Sequence, residues 1–289
     1  MSMKIILDKS IFHGEKFNLL LKSPLLKLAN SFKLSIYGSP ILIEETLRLW
    51  FKGQRDIASK QLKYILDITN ARWFRSREEI WAHELNLSAR PDKYFFMSNK
   101  EVEETKGNLA HKIIKGNLDP DEEPEFRQQL AEQYRKDNNI RNICLKMRAD
   151  VSDKLKKQGK TRKNITQGFT EYYLQNVDLI GTEIIHSHLS GLTSIDNCIQ
   201  SWKSNKDRYP YLTLWVKAFL FVSFHAMSMP NDRVDRSAVR DIGQLVDMQG
   251  LDVIVSDDNR FMKSAFLEFY KDKKQFMNLS DFLSFIASI

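Results

Sequence analysis

Three groups of carboxylates stand where a fold could bring them to one place. Asp8 closes the short apolar run Lys4–Leu7. Glu44 and Glu45 open a helical pattern behind Ser39-Pro40. Asp257-Asp258 close the run Val253–Val255, with Asp241 in the helix before it. Acids gathered on one edge repel one another, so such a group is tolerable only around cations or with raised pKa values. Oxygen ligands with no His or Cys beside them suit Mg2+ or Mn2+ rather than zinc. Water activated at such an ion can attack a phosphodiester while the metal charge stabilises the leaving oxygen. A lone Asp after a strand is usually a turn or cap residue. The order and setting of the set therefore carry the argument, not any one member.

The elements that must position these acids follow from hydrophobic pattern. Lys4-Ile-Ile-Leu7 and Leu34-Ser-Ile-Tyr37 read as strands, the second closed by Gly38-Ser-Pro40. Phe17 to Phe32 reads as helix broken at Ser23-Pro24, and further helices are expected from Ile41 and over Ile57 to Ile68. From Ala71 to Tyr209 the pattern predicts no strand. A helix is expected after the acidic turn Asp119–Pro124, ending at Arg135-Lys136, whose charges suit a helix C-terminus. Lys157 to Lys163 reads as a basic loop, and helices follow over Gly168 to Ile185 and Ile195 to Trp202. Val239, Ile242, Leu245 and Val246 mark an amphipathic helix stopping at Gly250. Asp252 to Ser256 is a strand, Phe261 to Tyr270 a helix, Phe276-Met277 an edge strand and Asp281 to Ile289 a last helix. Strands alternating with helices at both ends predict an α/β fold, a central parallel sheet with flanking helices, interrupted by a large α-helical insertion. The expected division is residues 1–70 and 210–289 for the α/β domain and 71–209 for the insertion.

In this order the acids resemble those of the PIN-domain nucleases, of the flap-endonuclease superfamily. Ile5-Ile-Leu-Asp8-Lys-Ser10 is similar to that family's strand–Asp–x–Ser/Thr opening, and Ser39-Pro40-Ile-Leu-Ile-Glu44-Glu45-Thr46 to its second motif. Arg240-Asp241-Ile-Gly-Gln-Leu245 resembles the third motif and Asp252 to Phe261 the fourth. The resemblance covers residues 1–70 and 210–289. It implies a PIN-like sheet and a Mg2+- or Mn2+-dependent endoribonuclease, with Asp8, Glu45, Asp241 and Asp258 as catalytic, metal-binding acids. Asp257 shares the metal role with Asp258, Glu44 competes with Glu45, and Asp235 with Asp241. Ser10 and Ser256 are the supporting polar groups it implies. Single-stranded RNA as substrate rests on the resemblance alone, and DNA stays open. So do a protein inhibitor, as toxin–antitoxin nucleases have, and a non-catalytic module of the same fold that binds RNA or protein. The chain departs from the family in length: Glu45 and Asp241 stand 196 residues apart, where the family has a few tens.

The charge is local. Of 289 residues, 44 are Lys or Arg and 37 Asp or Glu, a net +7. The window Arg141–Lys163 holds Arg141, Lys146, Arg148, Lys154, Lys156, Lys157, Lys160, Arg162 and Lys163 against Asp150 and Asp153, which equals the whole excess. Lys154, Lys156, Lys157, Lys160, Arg162 and Lys163 form a candidate nucleic-acid contact, because basic clusters gain by releasing counterions from a polyanion. A solvated helix face or loop is the competing reading. His186 and His188, two apart, do not share a helix face, and Cys144 reads as structural. Trp73, Phe74, Arg75, Arg77 and Trp81 could stack bases but read more simply as core aromatics with cations outside. No Gly-x-Ser-x-Gly elbow and no P-loop occurs. Leu212 to Met229, broken by Lys217 and His225, reads as a buried helix rather than a membrane span. Two cysteines cannot form a disulfide framework, and the opening apolar run is too short for a secretory leader. A cytoplasmic protein with no membrane association is expected, its oligomeric state open.

Overall fold

Strand β1 (Met3–Leu7) carries Ile5, Ile6 and Leu7, all buried. A strand apolar on both faces needs cover on both, which a central place in a parallel sheet supplies. In the computed structural model β1 has β2 (Leu34–Tyr37) on one side and β3 (Val253–Val255) on the other, with β4 (Gln275–Met277) beyond β3. All pairings are parallel. Ile5 stands opposite Ile36 and Val253, and Leu7 opposite Val255, which faces Met277. Residues 3–86, 95–104, 109–116, 118, 121–159, 168–188, 194–228 and 238–289 are described.

In chain order, β1 leads through a 3-10 turn (Lys9–Phe12) to α1 (Glu15–Lys22), α2 (Leu25–Asn30), β2, α3 (Pro40–Phe51) and α4 (Arg55–Thr69). Then come α5 (Arg77–Asn86), α6 (Asn99–Glu104), α7 (Leu109–Lys115), α8 (Glu122–Lys157), α9 (Phe169–His188), α10 (Ile195–Ser204), α11 (Pro210–Ser228) and α12 (Ala238–Asp247). Next are β3, α13 (Phe261–Tyr270), β4 and α14 (Leu279–Ala287). The protein is thus α/β and mostly helical, and the expected strands all form. One expected helix is corrected in length. The helix expected to end at Arg135-Lys136 runs on as α8 for 36 residues to Lys157. No Gly or Pro interrupts it between Pro124, in its first turn, and Gly159, whose positive φ of 64° marks the exit.

Two compact units result: Met1–Ser76 with Asp92–Leu130 and Asp247–Ile289, and Arg77–Pro91 with Ala131–Val246. Relative to the division expected from sequence, 92–130 joins the sheet unit, whereas α11 and most of α12 belong to the helical one. In the sheet unit the core gathers Ile5, Leu7, Phe12, Leu20, Leu34, Ile65, Val253, Val255 and Phe282. Leu47, Leu62, Ala110 and Ile113 form a smaller cluster. The helix α6 opens on a capping box: Glu101 N donates to Ser98 Oγ at 3.3 Å, and Ser98 N donates to Glu101 Oε2 at 2.7 Å. The Ser98 backbone N–H first, then its hydroxyl and the Arg75 guanidinium, hold the Glu101 carboxyl down at about 2. The folded value lies below the unfolded one, so this contribution to stability is present above the ordinary value of 4.5 and is lost as pH falls toward 2. Glu101→Gln should flatten that part of an acid-denaturation profile; a profile unchanged by it would exclude the coupling.

In the helical unit α11 packs on α9 and α5. By length and composition it could cross a bilayer, yet 61% of the stretch is buried inside the protein. Its first turn is capped from another helix: the buried Glu84 carboxylate accepts from Tyr211 N and Leu212 N, both at 2.8 Å. Arg77 stacks on Trp215 at 4.1 Å and on Trp81 at 5.4 Å. Phe74, in the sheet unit, and Trp81 are fully buried, so the aromatic–cation run serves the cores. His188 lies edge-on to Trp81, and Cys144 and Cys198 are buried free thiols.

Candidate functional site

Register fixes the first half of the site. With Leu7 opposite Val255, the next residues out, Asp8 and Ser256, emerge together at the C-terminal edge of the sheet, where parallel sheets place their ligand crevices. The ladder carries on past the strands: Asp8 N donates to Val255 O at 2.9 Å and Ser256 N to Met277 O at 3.0 Å.

Both side chains are buried, and their polar atoms find one another. Asp8 Oδ2 accepts three hydrogen bonds, from Ser10 Oγ at 2.5 Å, Ser256 Oγ at 2.8 Å and Ser10 N at 3.2 Å. Ser10 Oγ in turn accepts from Asp257 N at 3.0 Å, and Ser256 Oγ from Asp258 N at 3.1 Å. A hydroxyl has a single proton. Both protons are committed to Asp8, so the 3.3 Å approach of Ser10 Oγ to Ser256 Oγ is a contact without a proton of its own. The result is a closed ring that fixes one oxygen of Asp8 and, through two backbone N–H groups, the turn bearing Asp257 and Asp258.

The two neighbouring acids then part ways. Asp257 Oδ1 accepts from Leu279 N at the start of α14, at 2.8 Å, and Asp257 Oδ2 pairs with Lys16 at 2.7 Å. Its carboxylate ties the helix and α1 to the edge. Asp258 Oδ1 accepts from Arg260 N at 2.9 Å, a local turn bond, so Asp258 is less committed to structure. Glu44 and Glu45 are half-buried in the first turns of α3, a helix opened by Ser39, whose Oγ accepts from Ile41 N at 3.3 Å, and by Pro40 at its first position. Asp241 lies in the first turn of α12, in the helical unit. Lys154, Lys156 and Lys157 are exposed on the last turns of α8. Asp235, Lys160, Arg162 and Lys163 lie outside the described residues.

No protein family, curated protein or solved structure matches the chain. The site must therefore be read from its own chemistry.

That chemistry includes a lysine the motifs did not flag. Lys9, between Asp8 and Ser10, turns inward and is buried. Its Nζ donates to Thr46 Oγ1 at 3.1 Å and to Gln61 Oε1. Each acceptor is itself fixed: Thr46 Oγ1 donates to Leu42 O at 2.8 Å, and Gln61 Nε2 to Phe12 O at 2.5 Å. Burial pulls the ammonium down to about 8, opposed by the charges of Glu45 and Asp8. Only the Lys directly after the first acid could have signalled this; its acceptors lie 37 and 52 residues away.

The donor set suits a hard divalent cation: carboxylate and hydroxyl oxygens. Among the described residues no group of three or more His, Cys, Asp or Glu is placed to hold a metal ion. Mg2+ does not require one, since it commonly takes one or two carboxylates and completes its shell with water and substrate phosphate. Asp8 through its carboxylate and Asp258 through its backbone N–H share the Ser256 hydroxyl.

Proposed function

We propose that the chain is a Mg2+- or Mn2+-dependent nuclease of PIN-like architecture that hydrolyses phosphodiester bonds, with single-stranded RNA as the first substrate to try. One observation carries this reading: the buried Asp8 ends the central strand with one carboxylate oxygen fixed by two serine hydroxyls, beside the turn that bears Asp258. Outer hydrogen bonds of this kind are what orient a ligand carboxylate toward a cation. The parallel order β2-β1-β3-β4, with an acid-bearing helix after β2, supports it further.

In this reading Asp8 and Asp258 hold the ion, with Glu45 as the further acid of the sheet unit that the resemblance implies; Asp241, which it also implies, lies in the helical unit. Mg2+ or Mn2+, when bound, supplies the positive charge that activates water and neutralises charge on the phosphate. Ser10 and Ser256 keep Asp8 in one rotamer, and Asp257 anchors the turn by its bonds to Leu279 N and Lys16. Labelled RNA and single-stranded DNA, incubated with Mn2+ or with EDTA, test the reading. Cleavage of RNA in Mn2+ that EDTA abolishes is expected; intact RNA and DNA under both conditions sink it.

The exposed Lys154, Lys156 and Lys157 support a polyanionic substrate. Replacing all three by Gln should weaken RNA binding. If each meets one phosphate, the slope of log K against log salt should fall by about 2, at roughly 0.7 per contact on a single strand. An unchanged slope assigns these lysines to a solvated helix end.

The buried Lys9 beside the acids favours a second reading, a non-catalytic module of the same architecture. Mn2+ would then leave the melting temperature unmoved, whereas a bound ion stabilises by mass action.

A further inference from the structure

We infer that Lys16, Arg260 and Lys263 form a cationic rim of the acid site that takes backbone phosphates of a single-stranded nucleic acid. The inference deepens the nuclease reading, and rests on it only in treating that strand as a substrate.

Main-chain bonds tie two of the three cations to Asp258. Arg260 N donates to Asp258 Oδ1 at 2.9 Å, and Lys263 N to Asp258 O at 3.2 Å. Helix α13 therefore starts on the acid itself, with Arg260 as its N-cap residue. The third cation is tied by charge. Lys16 Nζ pairs with Asp257 Oδ2 at 2.7 Å, and Asp257 N donates to Ser10 Oγ, which donates to Asp8. All three lie in the sheet unit.

Their charges are not spent inside the protein. Arg260 and Lys263 are exposed, and among the described residues neither side chain has an acid or other polar partner. Lys16 is 45% exposed and gives Asp257 one of its three ammonium protons, which leaves two for an oxyanion. Nor do the charges of α13 serve the helix. Acids are favoured at a helix N-terminus and bases at its C-terminus. Here the order is reversed, with Lys263 and no acid in the first turn, and Glu268 and no base in the last. A polyanion at the sheet edge accounts for that placement. Asp8, Asp257 and Asp258 repel a phosphate backbone, and cations fixed beside them offset the repulsion. The Arg260 guanidinium can also meet a phosphate through two parallel hydrogen bonds. Contacts of this kind position a strand and carry no sequence information, so RNA and DNA should feel the rim alike.

Fluorescence anisotropy of a labelled single-stranded oligoribonucleotide, and of DNA of the same sequence, over a salt series in EDTA tests the rim. Lys16→Gln, Arg260→Gln and Lys263→Gln together should weaken binding of both strands. The slope of log K against log salt should fall by about 2, at roughly 0.7 per phosphate contact. Arg260→Gln with Lys263→Gln, which leaves the Lys16–Asp257 pair intact, should remove about 1.4, and Lys263→Arg should keep the full slope. Lys271→Gln with Lys273→Gln takes the same charge from the other end of α13 and should leave the slope unchanged. A slope unmoved in the rim variants overturns the inference. So does an equal fall in the Lys271 and Lys273 control, or a wild-type protein that binds neither strand.

The two readings fail separately. A slope that falls as expected, in a protein that leaves RNA and DNA intact with Mn2+, keeps the rim as a binding surface and removes the nuclease reading. RNA cleaved with Mn2+ at the same KM by wild type and the rim variants does the reverse.

Discussion

Asp8→Asn should abolish Mn2+-dependent cleavage while leaving the protein folded. The amide has the shape of the carboxylate, and its oxygen can still accept from Ser10 Oγ and Ser256 Oγ, so the ring at the sheet edge survives. What is lost is the negative charge, which is the property a cation needs. Ser256→Ala acts one step further out. It removes one of three donors to Asp8 Oδ2 and the acceptor for Asp258 N, and loss of such a partner costs about 10- to 100-fold in metal affinity or activity. The loss from Asp8→Asn should exceed that from Ser256→Ala in single-turnover cleavage. The Mn2+-induced rise in melting temperature should vanish in Asp8→Asn and shrink in Ser256→Ala. If Asp8→Asn cleaves as fast as wild type, Asp8 holds no catalytic ion and the proposed function falls.

That prediction draws on both sources of information, and they contribute differently. The strands were legible because their apolar runs are short, uninterrupted and closed by polar residues: Ile5–Leu7 before Asp8, Val253–Val255 before Ser256. A parallel sheet with acids at its C-terminal edge followed from the alternation of such runs with helices. Ser10 and Ser256 were legible from the motif they sit in, although that they share one oxygen of Asp8 was not. Three things had no local signature. The bonds that commit Asp257 to Leu279 N and Lys16, and so distinguish it from Asp258, join residues far apart in sequence. Lys9 finds its acceptors on two other helices, and a lysine in an acidic turn reads as solvated until those helices are placed. The length of α8 is not legible from charge: Arg135-Lys136 suits a helix end, yet charge alone does not stop a helix. Gly and Pro do, and neither occurs between Pro124 and Gly159.

The largest effect on stability should come from a glycine in the helical unit. Gly181 lies inside α9, where glycine is a poor choice: alanine would be favoured by about 1 kcal/mol on helix propensity. The reason for glycine is Trp202 on α10. A Cβ at residue 181 would sit 1.9 Å from Trp202 Cη2 and 2.4 Å from Cζ3. The indole is fully buried and tethered, since Nε1 donates to Thr213 Oγ1 at 3.0 Å and that oxygen donates to Lys206 O at 2.8 Å. Neither the ring nor α9 can yield without breaking this chain or opening the α9–α10 contact. Overpacking typically costs about 1 to 3 kcal/mol, and an overlap this deep should sit at or above the top of that range, well beyond the gain in propensity. Gly181→Ala should therefore lower stability by about 2 kcal/mol or more in urea unfolding. Gly168→Ala, where an added Cβ meets nothing within 4 Å, is the matched control and should be near neutral. Trp202→Phe on the Gly181→Ala background should cost less than on wild type, because the ring atoms that collide with the new methyl are then gone. If the two substitutions add, the close approach of Gly181 to Trp202 is not what keeps glycine there.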